Sequence, residues 1–102
     1  MKYNKLVRDK IPQIIQNSGK IAVTRVLNDS EYLLYLRAKL QEEVDEYLQS
    51  GECEELADIL EVLLALAKAD GHSENELFAI CRAKRDARGG FDDKILLLQV
   101  DE

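Results

Sequence analysis

The chain has 102 residues, of which 46% are hydrophobic and 33% charged, and it carries a net charge of −6. That length holds one core, and the composition is that of a folded soluble domain, unlike a disordered segment. The acidic balance excludes a general nucleic-acid binder, which needs a basic surface to meet the phosphates.

Residues 6–17 carry apolar Leu6, Val7, Ile11, Ile14 and Ile15, which suits a short helix or a turn interrupted by Pro12; Asn17-Ser18-Gly19 stops it. Residues 21–27 are rich in β-branched side chains and too short for a helix, so a strand or extended segment is expected. Asn28, Asp29 and Ser30 supply N-cap candidates for a helix running to Gly51. On it Leu33, Leu36, Leu40, Val44, Tyr47 and Leu48 recur at three- and four-residue steps. The next helix, from Ser50-Gly51 to near Gly71, carries a stripe of Leu56, Ile59, Leu60, Leu63 and Ala67, widened by Val62, Leu64 and Leu66. The short break between them makes an antiparallel helical hairpin. Ser73-x-x-Glu76 matches a capping box and opens a further helix that ends at Gly89-Gly90. Residues 94–100 read as a short strand, placed to pair with residues 21–27. The expected fold is therefore all-α: a helical hairpin with flanking helices, joining other copies in an oligomeric four-helix bundle, with short peripheral strands.

Cys53 and Cys81 stand without a CxxC or a Cys/His cluster, so neither a structural zinc site nor a disulfide framework is indicated. The charged N-terminus lacks the apolar core of a signal peptide, and no apolar run approaches the roughly 20 residues that span a bilayer. A cytoplasmic protein without membrane or nucleic-acid partners is expected.

The carboxylates of the hairpin carry the chemistry. Glu43 and Glu46 lie three apart on the first helix, and Glu55 and Asp58 three apart on the second, so each pair occupies one side of its helix about a turn apart. Glu43 and Glu55 flank the apolar stripes, whereas Glu61 falls opposite, where a solvated charge belongs. Glu is also a good helix former, so ExxE spacing arises on solvated faces without any function. Four carboxylates gathered at a core edge would need protonation, Lys/Arg pairing or a divalent cation to offset their repulsion. With no Cys or His among them, the all-oxygen set favours a hard cation, Mg²⁺ or Mn²⁺.

Glu43-x-x-Glu46 followed on the next helix by Glu55-x-x-Asp58 resembles the signature of the all-α nucleoside triphosphate pyrophosphatases, the superfamily of MazG, dimeric dUTPases and phosphoribosyl-ATP pyrophosphohydrolase. The opening Tyr3-Asn4-Lys5-Leu6-Val7-Arg8-Asp9-Lys10-Ile11-Pro12 and the later Lys84-Arg85-Asp86-Ala87-Arg88-Gly89-Gly90-Phe91 are similar to a subgroup of compact house-cleaning enzymes. The likeness spans nearly the whole chain as one MazG-like domain. It implies Mg²⁺ held by Glu43, Glu46, Glu55 and Asp58 as catalytic ligands, with hydrolysis between the α- and β-phosphates of a nucleotide. Glu42 falls outside the four, in a supporting or base role. The chain departs from many relatives in having only eight residues between Glu46 and Glu55.

A triphosphate needs cations beyond the metal. Lys5, Arg8 and Lys10 near the start, and Lys84, Arg85 and Arg88 near the end of the last helix, are the phosphate-binding candidates; Arg88 stands beside two glycines that let backbone approach closely. The alternative for Lys84 and Arg88 is to complement a helix dipole. Phe91 would stack on a base or plug apolar surface under the tail, and His72 reads as a loop or cap residue. Two other functions fit the same residues: phosphoribosyl-ATP hydrolysis in histidine biosynthesis, and a catalytically silent helical dimerisation or nucleotide-binding module.

Overall fold

The computed structural model describes residues 4–101; Tyr3, which opens the N-terminal motif, lies outside them. It contains four helices, α1 (Ile11–Asn17), α2 (Asp29–Ser50), α3 (Cys53–Ala69) and α4 (Glu74–Arg88), and no strand among the described residues. The protein is all-α.

Local chemistry explains where each helix begins and ends. Pro12 sits in the first turn of α1, where a backbone N–H would have no helical partner, so the proline starts this helix instead of interrupting it. Asn28 caps α2: its side chain accepts from the Glu31 N–H at 2.9 Å, and the Glu31 carboxylate reaches back to the Asn28 N–H. This is a complete capping box. Arg25 holds the same carboxylate with two contacts of 3.1 and 2.9 Å. Gly51 ends α2 at φ 66°, a left-handed conformation that a side chain resists, and its N–H donates to the Tyr47 carbonyl at 2.8 Å. Ser73 caps α4 by accepting from the Glu76 N–H at 3.1 Å. Only half of that expected box forms, because the Glu76 carboxylate turns instead to His72 Nδ1 at 3.0 Å.

Helices α2 and α3 pack as the antiparallel hairpin, and α4 packs on α3. Among the described residues the buried apolar side chains are few: Leu36, Val62 and Ala67. At 100° per residue, Glu55, Asp58, Ile59 and Val62 share one face of α3, and that face meets α2. Glu43 therefore stands within the packed face, with Glu55 and Asp58 half-buried at its edge. Of the expected stripe Leu56, Ile59, Leu60, Leu63 and Ala67, Ala67 is buried and Ile59 half-buried, while Leu56, Leu60 and Leu63 turn outward, 38–44% exposed.

The two expected strands do not form. Residues 21–27 and 95–100 carry no helix or turn, and their backbone makes no hydrogen bond to another described residue. Their β-branched and leucine side chains satisfy the preference for a strand, but that preference is realised only against a neighbouring strand and a packed face. The described residues of the single chain offer neither. The result is an extended molecule, 62 Å long with a radius of gyration of 18.0 Å, against about 13 Å for a compact domain of this length. Among the described residues no helix is long and apolar enough to cross a membrane.

Candidate metal centre and cleft

Glu43, Glu55 and Asp58 each offer a carboxylate oxygen, and these oxygens all lie within 4.8 Å of one another. The hairpin register brings them together: Glu43 lies two turns before the end of α2, and Glu55 and Asp58 lie in the first turns of the antiparallel α3. Glu43 is the most confined of the three, 6% exposed. One of its oxygens, Oε1, meets Lys39 Nζ at 3.2 Å. The other, Oε2, is buried with no hydrogen-bond partner. A buried carboxylate oxygen without a partner is strongly disfavoured unless something else comes to it. Burial first, then the neighbouring Glu46, raises the Glu43 carboxyl above its ordinary value, against the pull of Lys39.

Of the four expected ligands the structure gathers three. Glu46, one turn on from Glu43, is exposed and outside the group of three, although close enough to act on the Glu43 carboxyl. Glu42 is paired twice, with Lys5 Nζ at 3.1 Å and Lys39 Nζ at 3.6 Å. Burial opposes its ionisation, but the two lysines outweigh it and bring its carboxyl below the ordinary value.

The N-terminal segment lies over the hairpin. Arg8 Nη2 donates to Asp58 Oδ1 at 2.6 Å, across fifty positions of sequence. Beneath it runs a cleft of about 450 Å³, bounded by α2, α3 and the segment around Arg8 and Lys10. This volume falls in the range of small-molecule sites. The carboxylates Glu43 and Asp58 stand at one end, with Arg8, Lys10 and Lys39 among the lining cations. Tyr32 and Lys68 also line it, and Tyr32 is about 16 Å of helix rise from Glu43. Glu61, expected to face solvent away from the site, lines the cleft as well.

Lys5, Arg8 and Lys10 thus come to the carboxylates or their cleft. Lys84, Arg85 and Arg88 do not line it; they lie on the exposed end of α4, where Arg85 and Arg88 occupy the last turn and complement the helix dipole. Phe91 is exposed and covers nothing. Lys39 is the residue that sequence reasoning missed. Its place four residues before Glu43 was the available signal, since i, i+4 pairs face each other on a helix.

No protein-family model matches the chain, and no solved structure matches it. A protein of Mycolicibacterium smegmatis, described only as uncharacterized, is 56% identical over 41 residues. The matched stretch is 40% of this chain and 42% of that protein, so less than half of either is compared.

Proposed function

We propose that the chain is a Mg²⁺- or Mn²⁺-dependent nucleotide pyrophosphohydrolase that cleaves a nucleoside triphosphate between its α- and β-phosphates, releasing a nucleoside monophosphate and pyrophosphate, in a nucleotide-pool house-cleaning role. The observation that carries this reading is the unpartnered, buried Oε2 of Glu43 beside two further carboxylates. An all-oxygen set of this kind suits a hard cation. Glu43, Glu55 and Asp58 would hold it, with Glu46 one turn away as a further oxygen donor. Such a cation polarises a phosphoryl group and activates water. Arg8, Lys10 and Lys39 would neutralise the phosphates, Arg8 leaving Asp58 to do so, and the rest of the 450 Å³ cleft would take the nucleoside. Helix α3 turns Leu56, Leu60 and Leu63 outward, which suits packing against a second copy as a four-helix bundle.

The test is pyrophosphate release from a panel of canonical, deoxy and damaged nucleoside triphosphates, and from phosphoribosyl-ATP, with Mg²⁺ or Mn²⁺. Turnover that is lost in Glu55→Gln and Asp58→Asn, with helical content unchanged, is expected. Absence of turnover on every substrate would sink the reading.

A second reading has one observation in its favour. Arg8 at Asp58 and Lys39 at Glu43 already offset part of the charge, as they would in a silent helical module held by an ion-pair network. Calorimetric titration with Mn²⁺ separates the two, since the silent module takes up no cation at the carboxylates.

A further inference from the structure

Two segments of this chain are built for a β-ladder that the single chain does not make. Residues 21–27 present Ile21, Val23 and Val26, and residues 95–100 present Ile95, Leu96, Leu97, Leu98 and Val100; these side chains are 72–97% exposed. The backbone N–H and C=O groups of both segments have no backbone partner among the described residues. Unpaired edges with apolar side chains are templates for pairing with another chain.

We propose that the C-terminal arm of one copy, residues 94–100, pairs as a β-strand with residues 21–27 of a second copy, the two copies exchanging arms reciprocally. This rests on the second-copy reading of the α3 stripe and adds to it a separate set of contacts.

Three observations support a second copy as the occupant. The first is area. The chain exposes 9282 Å², whereas a compact monomer of 11.6 kDa exposes about 5,800 Å². The difference, about 3,400 Å² per chain, is several times the roughly 800 Å² that each partner gives to a standard interface. The second is charge. Lys20 and Arg25 accompany the first segment, Arg25 already held by Glu31, while Asp92, Asp93 and Asp101 outnumber Lys94 around the second. Pairing unlike segments sets opposite charges together, and pairing like with like would oppose them. The third is that both segments are free at once in every copy. A reciprocal exchange therefore satisfies all four segments of a pair and leaves a closed, two-fold assembly with no orphan partner.

Two measurements on the full chain test this. In a Cys53→Ser, Cys81→Ser background, a Val23→Cys chain is mixed with a size-tagged Leu97→Cys chain and mildly oxidised. A mixed disulfide between the two chains is expected, and it should not form when the mixture is diluted to single chains before oxidation. In the parent protein, amide exchange in both segments should slow about tenfold or more between concentrations where light scattering reports single and paired chains. Val23→Asp removes no contact within the chain, because Val23 is exposed, and should abolish the protection of residues 95–100 while helical content stays unchanged. Unprotected arms in a paired protein would overturn the exchange and leave the α3 stripe as the interface. Protection in a monomer would show pairing within one chain and overturn it too. A protein that stays monomeric with unprotected arms would overturn both the exchange and the second-copy reading.

Discussion

Replacing Glu43 by Gln should raise the stability of the metal-free protein at neutral pH while removing its response to divalent cations. The carboxylate oxygens of Glu43, Glu55 and Asp58 lie within 4.8 Å of each other. At that distance and an effective dielectric of about 20, each pair repels by about 3.5 kcal/mol, so Glu43 meets about 7 kcal/mol from its two neighbours. Lys39 at 3.2 Å offsets about 5 kcal/mol on the same scale. Water screens part of the Asp58 share, because that side chain is 39% exposed. These terms nearly cancel, and burial of Glu43 then decides the sign.

Burial, helped by Glu46 and opposed by Lys39, raises the Glu43 carboxyl above its ordinary 4.5. A group raised in the folded state contributes fully below its unfolded value, and that contribution is lost as pH rises through the folded value. At pH 7 the ionised parent carries the cost. The Gln variant does not, and its amide can donate to the neighbouring carboxylates. A gain of about 1 kcal/mol would raise the melting temperature by about 4–8 °C, and the difference should shrink toward zero as pH falls below the ordinary carboxyl value. Saturating the parent site to ten times Kd adds about 1.4 kcal/mol, and the variant should show little of this shift. Thermal melts by circular dichroism at pH 7 and pH 4, with and without Mn²⁺, read all four values. A variant that melts below the parent at pH 7 without cation would refute the reasoning. Glu43 would then be held by Lys39 as a structural pair.

Arg8→Met should tighten the binding of Mn²⁺ alone, because Arg8 sits 2.6 Å from Asp58 and competes for it, while raising KM for the nucleotide about tenfold or more through loss of a charged contact. Titration calorimetry beside steady-state kinetics checks both, and unchanged cation affinity would remove Arg8 from the site. Asn28→Ala deletes the cap that accepts from the Glu31 N–H and should cost about 1 kcal/mol. An unchanged melting temperature would mean that the start of α2 is held by tertiary contacts instead.

The helices were legible because their limits are written locally. Asn28 with Glu31, Gly51, Ser73 with Glu76, and Gly89 each act within a turn of the residues they stop or start, and the structure ends its helices at those marks. The three clustered ligands were legible for a related reason, since a short hairpin fixes which turn of α2 faces which turn of α3. What failed was whatever depended on distant partners. The strand patterns of residues 21–27 and 94–100 were present, but a ladder needs a second edge that local sequence cannot supply. The Arg8–Asp58 contact spans fifty positions and left no periodic trace. The stripe of α3 was read correctly as apolar, and its Ala67 is buried, but Leu56, Leu60 and Leu63 stay 38–44% exposed where a core was expected, because periodicity gives the width of a stripe and not its neighbour.

That last error bears on how site and assembly are coupled. The face of α3 that meets α2 carries Glu55 and Asp58, and the facing turn of α2 carries buried Glu43. Charges at this contact limit what apolar burial contributes there, and among the described residues the buried apolar side chains are Leu36, Val62 and Ala67. Holding the carboxylates in place therefore draws also on contacts outside the hairpin's inner face. Within the chain these are α4 on α3 and the N-terminal segment clamped through Arg8. Under the two-copy proposal, the outward leucines Leu56, Leu60 and Leu63 add a further share. Since Leu60 lies on the same two turns of α3 as Asp58, packing against a second copy would fix the backbone that positions the ligand. Cation affinity should then fall on dilution in step with dissociation, a linkage that a self-sufficient hairpin would not show.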